Sequence, residues 1–487
     1  MASRPLVQCP SFPLGEGPDA ATFVAGFDAL RAELEIVEDF SPEALAEAER
    51  AEPQPGRPGA EQDLRGLEFV TVDPPSSLDL DQAYTAQTTA DGFRVHYAIA
   101  DPAAFVRPGG ALDRETRARG VTMYAPDRST PLHPRTLSED HASLLPDRDR
   151  PALVWTLDLD HTGRRTNSTV SRARVRSREK LSYAEAQRRI DEGSAGESLR
   201  LLKTIGLLRE DLERSRGGVS LNLPSQEVVA DQHGYRLEYD RGLPIEDWNA
   251  QISLLTGMAA ADLMLDAGVG LLRTLPPPPT ETLRQIRSHG LALGIDWPHE
   301  VTYQDRVRDL DPAVPDHAAL LAFAVRALRG AGYLALDGPT DESTIHWAIG
   351  ADYAHVTAPL RRVGDRFANE CLLAICAGES PPQWALEGVE EMPRALGSAR
   401  RRERSLDRAI VDFAEALILE SRLGERFHAV VTTERRDGQV MIQLRDPAVA
   451  APLAAEVRPG DEIQVEVVEA DPGRRSVRFE LVGVISD

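Results

Sequence analysis

The spacing of apolar and polar side chains divides the chain into three parts, and the first of them is helical. Residues 19–37 place apolar side chains at helical intervals. A second helix is predicted to begin after Ser41, because serine is a good N-cap and the proline that follows suits a first helical turn. Residues 51–62 are rich in proline and glycine and indicate a linker. We therefore predict a small helical N-terminal module over residues 1–62, for which a helix-turn-helix-like arrangement is one alternative.

The second part mixes strand-like and helix-like segments. The predicted strands are EFVTVD (68–73), FRVHYAIAD (93–101), ALVWTLDLD (152–160) and STVSRARVRS (168–177). The helical patterns begin near residue 184, recur between about 249 and 330, and return between about 386 and 422. This combination predicts a mixed α/β domain over residues 63–422.

The third part contains only short strands and turns. The predicted strands are FHAVVTT (427–433), GQVMIQLRD (438–446), DEIQVEVVEA (461–470) and RSVRFELVG (475–483). Their number and spacing fit a five-stranded barrel of the oligonucleotide-binding kind over residues 423–487. The predicted fold class is therefore a multidomain α+β protein with a mixed α/β domain between a helical module and a β-barrel.

Composition limits the kinds of function. The net charge of −23 predicts a soluble chain that repels nucleic acid unless a local basic channel overrides it. Lys180 and Lys203 are the only lysines among the 55 basic side chains, and the others are arginines, which suit bidentate phosphate contacts. Three cysteines without metal spacing indicate a reducing compartment, and no segment has the length and apolarity of a membrane span. We expect a cytoplasmic monomer that does not associate with membranes.

Three aspartates lie close together in the segment LEFVTVDPPSSLDLDQA, residues 67–83. Asp73 ends a strand-like run, and Asp79 and Asp81 follow a Pro-Pro-Ser-Ser turn. Residues two apart in extended backbone project to the same side, so the three carboxylates could converge on a hard cation such as Mg2+. Taken alone, the segment also fits a solvated acidic loop, a haloacid-dehalogenase-like phosphatase or a DxD glycosyltransferase.

Two longer motifs further along the chain resemble the ribonuclease II (RNB) family. The first is VHYAIADPAAFVRPGGALDRETRARGVTMYAPDRSTPLHPRTLSEDHASLL, residues 95–145, and the second is DYAHVTAPLRRVGDRF, residues 352–367. The resemblance extends from about residue 65 to 420 and is followed by a barrel like the family's S1 domain. It implies an RNB-type catalytic domain and a 3′-to-5′ exoribonuclease that converts single-stranded RNA to nucleoside 5′-monophosphates. The implied cofactor is Mg2+, with Mn2+ as the alternative.

The resemblance also implies roles for residues around the scissile phosphate. Asp73, Asp79 and Asp81 match the first three of the family's four metal-binding aspartates. Gln82 stands in the place of the fourth, where its amide could offer the metal a neutral oxygen. Asp81 matches the aspartate on which catalysis depends most, and Asp79 is expected to assist it. Arg361 matches the arginine that contacts the scissile phosphate.

Further RNA contacts are expected from an aromatic side chain and from arginines. Tyr183 matches the family tyrosine that stacks on the 3′-terminal base. One side of a predicted strand carries Arg172, Arg174, Arg176 and Arg178. We predict that Arg174 and Arg176 contact RNA phosphates, with a solvated face paired to acids as the alternative for at least two of the four. Arg362 is grouped with the RNA-binding residues, with a backbone or structural contact as its expected role. Asp365 is expected to orient the neighbouring arginines.

Two more candidates come from the resemblance, with departures from the family pattern. Asp407 aligns with a family glutamate on a late helix but is one methylene shorter. His346 precedes the second motif, and a buried structural histidine is the alternative to a catalytic base. Together with Gln82, the aspartate at position 407 leaves open a degenerate protein that binds RNA without cutting it, and a DxD phosphohydrolase is the other enzyme class.

Overall fold

The computed structural model describes residues 18–53, 61–219, 225–231, 234–240, 242–312, 314–435, 438–444 and 446–485. Most of the linker predicted over 51–62 lies outside these ranges, and so does the first part of the predicted N-terminal module. Within them, none of the helices combines the length and the apolarity that crossing a membrane requires.

Two helices begin the described chain, α1 (Pro18–Glu33) and α2 (Pro42–Glu49). Ser41 caps α2 as predicted, and its hydroxyl accepts a hydrogen bond from the Ala44 N–H at 3.2 Å. Phe23 and Phe27 are buried on α1, with their ring centroids 6.0 and 5.8 Å from that of Phe413 in the central domain. The helical N-terminal module therefore packs on the central domain through an aromatic cluster.

The central sheet is built from the strands β1 (Gln62–Asp63), β2 (Phe69–Val72), β3 (Gln82–Thr89), β4 (Gly92–Ala100), β5 (Asp149–Asp160) and β6 (Arg165–Leu181), with α3 (Ala111–Arg119) between β4 and β5. The strand order is β1-β6-β2-β3-β4-β5, and β5 pairs with β6 as well as with β4. Strands β2 to β6 therefore form a closed ring. The closure is made by β6, which is long enough to pair with β5 along residues 165–176 and with β2 at residues 177–181.

The helical part of the domain follows this ring. Its elements are α4 (Tyr183–Asp191), α5 (Glu197–Ser215), β7 (Ser225–Asp231), β8 (Gly234–Asp240), α6 (Pro244–Ala267), β9 (Val269–Thr274), α7 (Thr280–Ala292), α8 (Tyr303–Arg308), α9 (Pro315–Ala324), β10 (Gly332–Asp337), β11 (Ile345–His346), β12 (Ala351–Asp352), α10 (Val363–Ala377) and α11 (Gln383–Glu420). Helix α10 lies between β6 and α11 and is buried over its first twelve residues. The second motif, residues 352–367, runs into the start of α10. The burial of α10 therefore places this motif against the ring of strands.

The C-terminal part is a five-stranded antiparallel sheet. Its strands are β13 (Arg426–Glu434), β14 (Val440–Leu444), β15 (Ala450–Leu453), β16 (Glu462–Asp471) and β17 (Ser476–Val484). Their order is β15-β14-β13-β16-β17, and the sheet curls into a half-barrel whose edge strands β15 and β17 are in contact. The predicted fold class is thus confirmed, while the domain boundaries at residues 62 and 422 stay predictions.

A buried ion-pair network connects the ring of strands to α10. Arg172 on β6 donates to Asp101 at 2.7 Å and to both carboxylate oxygens of Glu370, at 2.7 Å each. Asp101 directly follows β4, Glu370 lies on α10, and all three side chains are buried. Without Glu370, the buried Nη2 group of Arg172 would lose its two hydrogen bonds and Asp101 would be its one remaining charge partner in the network, and breaking a buried pair is strongly destabilising.

Replacing Glu370 by alanine is therefore expected to lower the free energy of unfolding by about 3–5 kcal/mol, measured by urea denaturation. Glu391 is a matched control, because its carboxylate pairs with Arg117 at 2.8 Å on the surface. Glu391→Ala is expected to change stability by at most about 1 kcal/mol. Equal losses in the two variants would contradict a structural role for the network.

Candidate active site

The acidic segment forms the turn between β2 and β3, and backbone pairing fixes both of its ends. Asp73 directly follows β2, and its N–H donates to the carbonyl of Leu181 at the end of β6 at 3.0 Å. At the other end, the carbonyl of Asp81 accepts from the N–H of Ala100, the last residue of β4, at 2.9 Å. The first and last aspartates are thereby held at one end of the strand ring.

Both carboxylate oxygens of Asp81 are engaged by the second motif. Oδ1 accepts from the Leu360 N–H at 2.8 Å, and Oδ2 accepts from Nε of Arg361 at 3.1 Å. Asp81 is only 4% exposed, and burial raises its pKa to about 7 although Arg361 opposes the shift. The Arg361 side chain stays 34% exposed, and its two Nη groups make no hydrogen bond to any other described residue. A guanidinium that is oriented at one end and free at the other is suited to an anionic ligand.

Residues 354–362, here called the arginine loop, carry this guanidinium and are held from α10. Asp365 accepts hydrogen bonds from the Ala358 N–H at 2.8 Å and from Nη2 of Arg362 at 2.7 Å. Asp365 therefore orients Arg362, whereas Arg361 is oriented by Asp81. Arg362 is a structural member of the loop in this geometry, and its contact with RNA stays a prediction.

The other two aspartates lie close enough for their charges to interact. Burial, followed by the negative charge of Asp79, raises the pKa of Asp73 to about 7. Burial also raises the pKa of Asp79, whose Oδ2 accepts a hydrogen bond from the Tyr124 hydroxyl at 3.3 Å. Carboxylates that are both buried and mutually repelling favour a neighbouring cation.

One resident cation near this pair is Lys180, which closes the acidic turn. Its ammonium donates to the carbonyl of Pro75 at 2.7 Å and to that of Ser77 at 2.5 Å. Burial lowers the pKa of Lys180, and the charges of Asp73 and Asp79 oppose that effect. A compact ammonium with three donors can bind two backbone oxygens of one turn while facing carboxylates.

Replacing Lys180 by methionine is expected to lower the free energy of unfolding by about 1–2 kcal/mol, because two charge-assisted hydrogen bonds and a nearby cation are lost. The measurement is urea denaturation in EDTA. Lys203→Met is the matched control, since this ammonium lies over the Trp248 ring, 5.4 Å from its centroid. The free energy of unfolding of this control is expected to change by at most about 1 kcal/mol. A larger loss in Lys203→Met than in Lys180→Met would contradict the role of Lys180 in stabilising the acidic turn.

The side-chain amide of Gln82 has partners at both ends. The Tyr97 hydroxyl donates to Oε1 at 2.5 Å, and Nε2 donates to the carbonyl of Thr357 in the arginine loop at 2.7 Å. The predicted use of Gln82 as a metal ligand would require Oε1 to leave or share the Tyr97 hydroxyl. The structure therefore brings Gln82 to the site but gives its amide other contacts.

Tyr183 flanks the same site. It is the first residue of α4, and the Ser182 side chain caps this helix by accepting from the Glu185 N–H at 3.1 Å. Burial raises the pKa of Tyr183, and the charge of Asp73 raises it further. The ring thus lies beside the acidic turn, as its predicted role requires, and stacking on an RNA base stays a prediction.

The strand arginines do not share one environment. Arg172 is covered by α10 and belongs to the buried network. Arg174 and Arg176 lie on the outer surface of β6, where they pair with Glu61 at 3.6 Å and Asp149 at 2.6 Å. This is the geometry of the predicted alternative, a face paired with acids. RNA contact by Arg174 and Arg176 stays a prediction.

His346 belongs to the short strand β11 in the helical part of the domain. It is buried on β11, its ring centroid lies 6.1 Å from that of Tyr353, and burial lowers its pKa to about 3. A neutral buried imidazole of this kind matches the alternative of a structural histidine.

Two acids on the late helix, Asp407 and Glu403, differ in the charges around them. Burial, followed by the charge of Glu403, raises the pKa of Asp407 to about 7. Burial also raises the pKa of Glu403, and Arg361 and Arg362 are among the arginines that oppose this. Glu403 lies one turn before Asp407, so both can occupy one side of α11, and sequence alone offers no signal to choose between them. Tyr124 was missed as well, although it lies inside the first motif.

The donors at the site suit a hard divalent cation, because they are carboxylates rather than sulfur or imidazole. Across the described ranges, however, no three His, Cys, Asp or Glu side chains are close enough together to hold a metal ion as they stand. The arrangement thus provides ligands of the right chemistry without a preassembled set of three.

Comparisons with known proteins agree with the motifs. The model of the RNB domain matches residues 61–377, and that of the RNase II-type exonuclease C-terminal S1 domain matches residues 425–482. Ribonuclease R of Aquifex aeolicus is 26% identical over 467 residues, which cover 86% of this chain and 65% of that protein. The chain thus spans just under two-thirds of the length of this relative.

Two further similarities bear on fold and activity. The structure of Mycoplasma genitalium RNase R in complex with ribose-methylated single-stranded RNA superposes with a TM-score of 0.84 at 19% identity, over 96% of this chain and 79% of that one. An Arabidopsis thaliana protein named inactive exonuclease DIS3L2 is 29% identical over 381 residues, 70% of this chain and 36% of its own. Because the RNB-domain match covers more than half of its residues, this chain belongs to the RNB family.

Proposed function

We propose that this protein is a hydrolytic exoribonuclease that degrades single-stranded RNA from its 3′ end and releases nucleoside 5′-monophosphates. The observation that carries the proposal is the hydrogen bond from Arg361 to Asp81. It joins the acidic turn to the arginine loop, 280 positions later in the chain. The two motifs thereby contribute to a single buried site that combines carboxylates with an oriented guanidinium.

Phosphodiester hydrolysis builds negative charge on the non-bridging phosphate oxygens, and Arg361 is arranged to meet it. Its Nε is held by Asp81, so the guanidinium needs little reorganisation when a phosphate arrives. The Leu360 N–H and Asp365 hold the loop on either side of this arginine. Asp81 thus positions Arg361 as well as offering a carboxylate.

The proposed cofactor is Mg2+ or Mn2+, and Asp73, Asp79 and Asp81 would hold it. RNB nucleases are generally dependent on divalent metals. The raised pKa values of Asp73 and Asp81 support this, since they reflect buried carboxylates with too little positive charge nearby. When bound, such an ion supplies stabilisation of charge on the phosphate and activation of water.

RNA would approach a protein whose overall charge repels it, so local contacts must provide the affinity. Tyr183 beside Asp73 offers a stacking surface for a terminal base, worth about 1–3 kcal/mol without sequence preference. The S1 domain is the other proposed contact. A cytoplasmic location and a monomeric state are part of the proposal.

A protein that binds RNA without cutting it is the second candidate. It is favoured by the glutamine at position 82, in place of an acid, and by the existence of a relative named as inactive. The intact pair of Asp81 and Arg361 favours the enzyme. A DxD phosphohydrolase has no use for an S1-type domain and is the weakest of the three.

The experiment that separates these candidates uses 5′-labelled single-stranded RNA with Mg2+, Mn2+ or EDTA. The proposal predicts a metal-dependent ladder that shortens from the 3′ end to a short oligomer. A mobility shift without shortening supports the RNA-binding candidate. Release of phosphate from small phosphomonoesters with intact RNA supports the phosphohydrolase.

A further inference from the structure

We propose that Gln82 is a positioning residue rather than a metal ligand: its amide holds the arginine loop against the strand that carries Asp81. This inference rests on the proposed function for its catalytic consequence. Its structural part concerns the free protein and can be tested without RNA.

The orientation of the Gln82 amide is fixed by the one of its two partners that can only accept a hydrogen bond. The Thr357 carbonyl can only accept a hydrogen bond, so the group at 2.7 Å from it must be the NH2 of Gln82. The oxygen then faces the Tyr97 hydroxyl, which donates at 2.5 Å. Thr357 and Tyr97 are both buried, at 3% and 1% exposure, so water does not readily replace either contact. The Gln82 amide on β3 therefore connects Tyr97 on β4 to Thr357 in the arginine loop through two hydrogen bonds, accepting the first and donating the second.

A carboxylate at this position could not make the same link. An ionised acid has no hydrogen to donate, and it would turn oxygen lone pairs toward the Thr357 carbonyl. Aspartate is also one methylene shorter than glutamine. The loop would lose a contact that the Thr357 side chain does not duplicate, since its Oγ1 pairs with Ser253 Oγ at 2.7 Å on α6.

Neighbouring residues on β3 and the turn before it hold the same loop. Gln82 binds it at Thr357, and Asp81 binds it at Leu360 and Arg361. Loss of the hydrogen bond between Gln82 and Thr357 is therefore expected to disturb the orientation of the Arg361 guanidinium, which Asp81 holds. Gln82, at the position where the resemblance implies a fourth acid, would thus act as a donor that stiffens the loop, and Asp73, Asp79 and Asp81 would hold the metal.

The test compares Gln82→Met, Gln82→Glu and Gln82→Asp with the matched control Gln87→Glu, which changes an exposed glutamine on the same strand. The readouts are the melting temperature in EDTA, the Kd of Mn2+ by electron paramagnetic resonance, and kcat and KM on single-stranded RNA. We expect a lower melting temperature in all three position-82 variants and no change in the control. We expect kcat to fall by about tenfold or more with KM nearly unchanged, and Mn2+ affinity of Gln82→Met to stay within about twofold of wild type.

Two results would overturn the inference. One is a Gln82→Asp protein that binds Mn2+ about tenfold more tightly and cleaves faster at an unchanged melting temperature. The other is a Gln82→Met protein that keeps the wild-type melting temperature and loses Mn2+ affinity. The melting temperature and the Mn2+ affinity are measured without RNA, so they report on the link even if the wild-type protein does not cleave RNA. Failure of the link and failure of the proposed function are thereby distinguished.

Discussion

Asparagine in place of Asp81 is expected to lower kcat for RNA cleavage by about 10²–10³-fold, the usual cost of losing one preorganised electrostatic contact. Asparagine keeps the size of the side chain and an acceptor for the Leu360 N–H. It removes the negative charge that orients Arg361 and one carboxylate of the proposed metal set. The measurement is kcat from steady-state cleavage of 5′-labelled RNA with saturating Mg2+.

RNA binding by the same variant is expected to stay within about threefold of wild type, because affinity comes from contacts spread along the strand. Fluorescence anisotropy in EDTA measures this. The matched control is Asp149→Asn on the outer surface, where the carboxylate pairs with Arg176 at 2.6 Å and Arg65 at 2.9 Å. The control should cleave at the wild-type rate. Wild-type turnover by Asp81→Asn would contradict the proposed catalytic role of Asp81.

The second large effect is expected at Arg361. Replacement by glutamine should lower kcat by about 10²–10³-fold, since a guanidinium aimed at the reacting phosphate is lost. Lysine should restore little, because its single ammonium cannot bind Asp81 and a phosphate in the geometry of a planar fork. Steady-state kinetics on single-stranded RNA provide kcat and KM, and KM should change by no more than about threefold.

Arg94→Gln is the control for this experiment, because Arg94 on β4 pairs with Asp158 at 2.6 Å on the surface and has no predicted role at the site. If Asp81 and Arg361 act as one unit, the double variant should be hardly slower than the slower single variant. Strict additivity of the two losses, or equally small losses at positions 361 and 94, would contradict the coupling of the two motifs.

Much of the fold could be predicted because it is encoded locally. The segments predicted as strands in the central domain became β2, β4, β5 and β6, and the Ser41 cap begins α2. Closure of the ring could not be predicted in this way. It depends on β6 pairing with β5 and β2 in succession, which is a property of tertiary packing rather than of any local pattern.

The same limit explains the strand arginines. Alternation along β6 correctly indicates one side of the strand, but it does not say what covers that side. At Arg172 the cover is α10, with Glu370 directly opposite, whereas Arg174 is open to solvent. A solvated face and a buried ion-pair network therefore occur on one strand.

At the site, sequence predicted the aspartates and Arg361 but not the contacts that hold them. One partner of Gln82 is 275 positions away, and the ammonium of Lys180 reaches the turn from the neighbouring strand β6. Glu403 and Asp407 are one helical turn apart on α11. Only the packing of this helix decides which of the two carboxylates interacts electrostatically with Arg361. Long-range hydrogen bonds of this kind leave no trace in spacing or composition.

The central claim is that this site hydrolyses RNA from the 3′ end, and it is tested most directly by cleavage of single-stranded RNA in water enriched in oxygen-18. Mass spectrometry of the released material is expected to show nucleoside 5′-monophosphates that each carry one heavy oxygen, appearing first from the 3′-terminal nucleotide and disappearing in Asp81→Asn. Nucleoside 3′-phosphates, cyclic phosphates without heavy oxygen, or release that is unchanged in Asp81→Asn would contradict the account.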